Sequence, residues 1–324
     1  MIVAKTPFRM SFVGGGSDLE AFYSKDYGAV VSTTIDKYMY MMIHPYFHEK
    51  IRVKYSRTED VDNINDLKHP IVRECLRLVG IEKGIEIASI ADVPAGTGIG
   101  SSSTFTVCLL HALYAHKGKF ASKEKLARDA CKIEIGILKE PIGKQDQYAA
   151  SYGGLNYLRF NSNGTVFVQP IVLDPAVKKR LERRLLMFYV GNERSAGSIL
   201  GEQEMNMEKK EKYERMRKMA GLADSLKDSL SWGRIKDFGE ILREGWLLKK
   251  GMARGISYPA LDGYYEKAMR AGAAGGKLLG AGGGGFLLFY CEPKYQDRVR
   301  RALNLKELGV RFDSEGSTVI YTDK

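Results

Sequence analysis

The stretch Val93-Pro94-Ala-Gly96-Thr-Gly98-Ile-Gly100-Ser101-Ser102-Ser103 narrows the possible folds of this chain more than any other. Ile85, Ile87 and Ile90 upstream read as a strand, and Phe105, Cys108, Leu109 and Ala112 downstream fall on one face at helical spacing. The order is therefore strand, glycine loop, helix. Alternating glycines let backbone N–H groups converge on an anion and let a phosphate approach closely. The helix start adds unpaired N–H groups and the positive end of a dipole. Serine hydroxyls can bind phosphate oxygens or Mg²⁺. The Walker A ending, Gly-Lys-Ser/Thr, is absent, and the loop contains no lysine. A triphosphate there needs the dipole, Mg²⁺ and a cation supplied from elsewhere.

Two further glycine loops flank this one. Gly280-Ala-Gly282-Gly283-Gly284-Gly285 satisfies Gly-x-Gly-x-x-Gly, but it enters the apolar strand 286–290 where a dinucleotide fingerprint opens a helix. Its run of glycines predicts backbone packed against a ligand or another loop. Gly14-Gly15-Gly16-Ser17-Asp18, with Arg9 upstream, suits a polyol or sugar: the carboxylate accepts hydroxyl protons and the glycines leave room for a ring.

The remaining pattern predicts a strand over 29–43, and a helix capped by Ser122 running through Leu126, Ala130, Ile133 and Ile137. A hairpin follows over 155–168, turning at Asn161-Ser-Asn-Gly164, then a strand at 185–190. Two long helices come next, one through Tyr213 to Leu230 and one using Ile235, Phe238, Leu242 and Trp246. Strands at 286–290 and 317–321 bracket a helix near 294–306. The strands cluster in antiparallel groups, which favours α+β over a doubly wound sheet. A length of 324 residues fits about two domains. Pro170 and Pro175 place the boundary, giving 1–175 and 176–324.

No apolar run is long enough for a membrane span, and the first ten residues lack a signal layout; a cytoplasmic protein without membrane contact is expected. Cys75, Cys108, Cys131 and Cys291 are scattered, which argues against disulfides or a cysteine-bound metal. Fifty basic residues against thirty-nine acidic give a charge of +11. Acids are interspersed through segments such as 208–218, so no nucleic-acid partner is expected. Positive potential also steers phosphorylated anions. Pro45 lies between His44 and His48, so a helical His pair for zinc is not expected.

Taken together, the three loops resemble the motifs of the GHMP kinase superfamily. Pro94 to Ser103 resembles its phosphate loop, with Ile99 in place of the usual leucine; Lys277 to Phe286 is similar to its C-terminal motif, and Thr6 to Asp18 to its N-terminal one. Gly14 to Asp18, Ile35-Asp-Lys-Tyr38, Lys144-Gln-Asp-Gln-Tyr148 and Gly191-Asn-Glu-Arg-Ser-Ala196 are most similar to the D-glycero-D-manno-heptose 7-phosphate kinases, although fucose-type kinases share parts of them. The resemblance implies an N-terminal domain like domain 2 of ribosomal protein S5, followed by a ferredoxin-like domain.

It also implies an ATP-dependent sugar 1-kinase whose product feeds nucleotide-activated heptose for surface polysaccharide. Pro94, Gly96, Gly98, Gly100, Ser101, Ser102 and Ser103 would hold ATP; Ser102 and Glu134 would hold Mg²⁺. Asp146 would act as base or orienter, with Arg9 bridging the transferring phosphoryl group. Gly15, Gly16, Ser17, Asp18, Gly282, Gly283 and Gly284 would contact the sugar, and Arg194 a second phosphate on it. ATP and a sugar phosphate are the expected ligands of a monomer or homodimer. A fucose- or galactose-type kinase and a non-catalytic sugar sensor on the same scaffold are the alternatives.

Overall fold

The computed structural model describes residues 1–191 and 196–323. Its strands are β1 (Ile2–Val13), β2 (Gly28–Pro45), β3 (Ile51–Lys54), β4 (Thr58–Val61), β5 (Ile85–Ala91), β6 (Leu155–Phe160), β7 (Val166–Pro170), β8 (Leu185–Gly191), β9 (Ala273–Leu278), β10 (Gly285–Cys291), β11 (Lys306–Glu307), β12 (Phe312–Asp313) and β13 (Thr318–Thr322). They form two sheets. In the larger one β2 is the spine. Its first eight residues, Gly28 to Ile35, are buried, and its β-branched side chains suit that position. β1 pairs along most of β2, β6 covers its beginning and β5 its end. β3 lies parallel to β5, and the other pairings are antiparallel.

The smaller sheet runs β11-β8-β10-β9. Counted within that unit the order is 4-1-3-2, with helices between its first and second and its third and fourth strands, the ferredoxin-like arrangement. The α+β expectation holds in both sheets. After β11 the chain returns to the larger sheet, where β12 pairs with β2 and β13 with β1. We propose the boundary near residue 175, with the C-terminal strands rejoining the first unit.

Two helices depart from the sequence pattern. The helix Ser101–His116 has no single apolar face: Val107, Cys108, Leu109, Leu110, Ala112 and Leu113 are all fully buried. It is wedged between β1–β2 and three neighbouring helices, so every side meets protein. The helix Lys123–Cys131 starts at Ser122, whose Oγ accepts the Lys125 N–H at 3.2 Å. It does not continue as an α-helix to Ile137. Lys132–Ile137 is a π-helix, closed by the Leu138 N–H on the Ile133 carbonyl. Such wide turns occur often at functional sites, and this one carries Glu134.

The four cysteines are unpaired. Among the described residues no helix is long and apolar enough to cross a membrane.

Candidate active site

The phosphate loop sits at the N-terminus of the buried helix. Gly96, Gly98 and Gly100 have φ of 79°, 81° and 79°, a left-handed conformation that only glycine adopts routinely. Gly100 is the N-cap and brings no capping side chain, so the first-turn N–H groups keep their capacity for an anion. Ser101 Oγ is buried, with no hydrogen-bond partner among the described residues. Pro94 is exposed; its carbonyl accepts the Thr97 hydroxyl, and it stands outside the cleft.

The glycines of the last loop answer to this first one. A Cβ on Gly98 would stand 2.4 Å from the Leu279 carbonyl oxygen, and one on Gly285 2.2 Å from that of Thr97. Backbone packs on backbone, so two loops remote in sequence share one wall. Gly280, Ala281, Gly282 and Gly284 line the cleft. Gly283 does not; its N–H goes to the Ile256 carbonyl.

The cleft itself is about 340 Å³ and is walled by the end of β1, the phosphate loop, residues 142–146 and the last glycine loop. β1 shifts register between Pro7 and Arg9, and the Arg9 N–H bonds the Ile99 carbonyl of the phosphate loop. The Arg9 side chain then forks onto Asp146, Nε to Oδ1 at 2.7 Å and Nη2 to Oδ2 at 2.8 Å, while Nη1 donates to the Gly98 carbonyl at 2.6 Å. The paired geometry aims the carboxylate and ties it to the loop. Arg9 is buried, whereas Asp146 keeps 22% of its side chain exposed.

Asp18 lies deeper. Its Oδ1 accepts from the Gly16 N–H and the Gln145 amide, and its Oδ2 from the Gln145 N–H. Burial, with help from the Asp146 charge, raises its pKa. Gly143 makes this possible, since a Cβ there would fall 1.9 Å from Asp18 Oδ2. Gly15 and Gly16 line the cleft. Ser17 does not; its hydroxyl donates to the Ala29 carbonyl and accepts the Ala29 N–H, clasping the loop to β2.

The π-helix brings Glu134 under the serines. Ser102 Oγ donates to Glu134 Oε1 at 2.8 Å and Gln147 Nε2 to Oε2 at 2.7 Å. Glu134 is wholly buried, and among the described residues no basic side chain pairs with it. Burial raises its pKa, with the Asp146 charge adding and the Gln147, Ser102 and Ser103 hydrogen bonds opposing. A buried carboxylate beside a hydroxyl, lacking a cation, fits a hard divalent ion that also takes phosphate oxygens. Arg194 lies outside the described residues.

Comparison with known proteins sets this geometry in a family. Residues 67–154 match the model of the GHMP kinases N terminal domain and residues 222–307 that of the GHMP kinases C terminal, together more than half of the chain. The chain belongs to the GHMP kinases. It is a phosphotransferase with an alcohol as acceptor. A D-glycero-alpha-D-manno-heptose 7-phosphate kinase of Campylobacter jejuni is 28% identical to this kinase over 95% of the chain and 94% of its own length. A galactokinase of Pyrococcus furiosus is 26% identical over 88% and 87%. The crystal structure of a D-glycero-D-manno-heptose 1-phosphate kinase from Bacteroides thetaiotaomicron superposes with a TM-score of 0.81 at 27% identity, covering both chains fully.

The sequence reading missed several cleft residues of this GHMP kinase: Ser11, Gln145, Lys249 and Lys277. Lys249 belongs to the helix Phe238–Lys250, where it follows the last apolar residues and precedes Lys250, and so reads as a solvated end. Lys277 had two visible signals: it is a lone charge among Ala, Gly and Leu, and it opens the motif Lys277 to Phe286.

Proposed function

We propose that this kinase transfers the γ-phosphoryl group of ATP to the anomeric hydroxyl of D-glycero-D-manno-heptose 7-phosphate, giving the 1,7-bisphosphate from which nucleotide-activated heptose for surface polysaccharide is made. The observation that carries the reading is the Arg9–Asp146 fork, fixed to the glycine loop at Gly98 inside a cleft of sugar size. Phosphoryl transfer asks for in-line positioning and charge neutralisation more than covalent help. The left-handed glycines and uncapped helix start hold the ATP phosphates. Asp146 accepts or orients the proton of the attacking hydroxyl, and Arg9 stays beside the phosphoryl group as it passes. Asp18 and the Gly15–Gly16 backbone border the sugar.

Ser102 and Glu134 would hold Mg²⁺, which when bound neutralises phosphate charge. Glu134 is thereby given the cation its burial lacks. Similarity to the Campylobacter kinase over nearly both full lengths, and to the Bacteroides heptose kinase, supports the heptose acceptor. The names of those two relatives place the phosphate differently, at position 7 in one and at position 1 in the other. A cytoplasmic location, a monomer or homodimer, and contact of Arg194 with the second phosphate belong to the same proposal.

The test is an ADP-release assay with heptose 7-phosphate, heptose 1-phosphate, L-fucose, D-galactose and mevalonate, each with ATP and Mg²⁺. Heptose 7-phosphate should give the highest kcat/KM, with the product phosphorylated at C1. Turnover of fucose or galactose without turnover of the heptose phosphates would replace the reading with a neutral-sugar 1-kinase.

A further inference from the structure

Two lysines in the cleft have no part in the mechanism above. Lys249, from the helix Phe238–Lys250, and Lys277, from β9, are 7% and 9% exposed, and both line the cavity. Their ammonium groups rest on neutral oxygens only. Lys249 Nζ donates to Gln203 Oε1 at 2.6 Å and to the Gly15 carbonyl at 3.2 Å; Lys277 Nζ donates to the Ser11 carbonyl at 2.7 Å. Among the described residues no carboxylate lies within salt-bridge distance of either.

An ammonium has three N–H donors. Among the described residues, one on Lys249 and two on Lys277 are therefore unspent within a buried, cleft-lining environment. Burying two unpaired cations is costly and persists where a ligand supplies the counter-charge. The two carboxylates that line the cleft are already engaged, Asp146 by Arg9 and Asp18 by Gly16 and Gln145, and the Asp18 charge acts on Lys249 only through space. Both lysines are anchored to the end of β1 and the loop after it, on Ser11 and Gly15, and neither bonds the loop 96–103. That places their charge on the acceptor's wall of the cleft.

We infer that Lys249 and Lys277 form a second anion subsite that binds the phosphate monoester carried by the acceptor, separate from the cradle for the ATP phosphates. Burial pushes the Lys249 pKa down to about 8; burial, together with the charges of Lys249 and Arg9, pushes Lys277 down to about 7. The Asp18 charge opposes the shift at Lys249, and a bound anion would oppose both shifts by favouring the charged forms. Gln203 positions Lys249 from the helix Ala196–Asn206. The assignment rests on the proposed phosphorylated acceptor, and it also bears on preference: the subsite would favour a sugar phosphate over a neutral sugar.

The test uses the full chain saturated with Mg²⁺ and a non-hydrolysable ATP analogue, so that nucleotide phosphates already occupy their own place. Calorimetry then follows inorganic phosphate and heptose 7-phosphate binding to wild type, Lys249→Met, Lys277→Met and the charge-keeping Lys249→Arg. Both methionine variants should bind heptose 7-phosphate about 10–100-fold more weakly and lose inorganic phosphate binding. Analogue affinity should stay within about twofold, which also shows that the variants fold, and Lys249→Arg should recover part of the loss. Wild-type phosphate binding that the variants lose, without turnover of heptose 7-phosphate, would uphold the subsite and sink the substrate. Turnover of heptose 7-phosphate with unchanged acceptor KM in both methionine variants would sink the subsite and leave the substrate. Loss of analogue affinity, with acceptor affinity retained, would assign the lysines to ATP and overturn the inference.

Discussion

Replacing Glu134 by glutamine should make the free protein more stable and the enzyme less active. Glu134 is a fully buried carboxylate held by hydrogen bonds from Ser102, Ser103 and Gln147, and burial raises its pKa above the ordinary 4.5. The native state thus holds a proton at pH values where the unfolded chain has released it. The stability contribution of Glu134 is greatest below pH 4.5 and is lost as pH rises through the native pKa. Glutamine has the same shape and cannot ionise. The Gln147 Oε1 atom lacks a partner among the described residues, so the new amide N–H finds an acceptor after that side chain turns. With these donors already offsetting part of the desolvation, the remaining gain is about 1–3 kcal/mol at neutral pH. For 324 residues the unfolding entropy is about 0.7 kcal/mol/K, so Tm should rise by about 1.5–4.5 °C. Metal-free thermal melts at pH 8 and pH 5 measure this, and the gain should shrink on the acid side. With ATP and Mg²⁺, kcat should fall about 10²–10³-fold, because the proposed Mg²⁺ site would lose its carboxylate. A lower Tm at pH 8, a gain that grows on acidification, or unchanged turnover would refute the reasoning.

Asp146→Asn should lower kcat about 10²–10⁴-fold while calorimetry shows an ATP analogue still binding; near-normal turnover would remove Asp146 from the chemistry. Gly98→Ala forces a left-handed alanine at φ 81° and drives its Cβ into the Leu279 carbonyl, so stability should drop by about 2–4 kcal/mol in urea melts and KM for ATP should rise. Gly136→Ala meets nothing within 4 Å and has no positive φ, and in the same melts it should be neutral or stabilising by about 0.5–1 kcal/mol. Acceptor kcat/KM should fall by more than about tenfold between pH 7 and pH 9, as Lys277 and then Lys249 lose their protons; Arg9, Asp18 and Asp146 are the other charged groups lining that space. The Lys249→Met/Lys277→Met double variant should show a flat profile over that range.

Much of this kinase could be read from local pattern, because local pattern reports on the residue's own neighbours in the chain. The strand, glycine loop and helix at 85–116 were legible since three left-handed glycines before a helix allow few other uses. The hairpin at β6–β7 and the Ser122 cap followed from turn and cap chemistry. What the chain order could not convey was which remote segments meet. The docking of Gly285 on Thr97 joins positions nearly two hundred residues apart through backbone atoms that carry no sequence signature. Ser17 looks like a sugar ligand in its motif and becomes a clasp only because β2 starts beside it. The π-turn that lowers Glu134 under Ser102 is invisible to a periodicity of 3.6. Lys249 and Lys277 read as an ordinary helix end and an isolated strand charge; only the closing of the second sheet unit against β1 buries them without a counter-ion, and burial is a property of the tertiary structure alone.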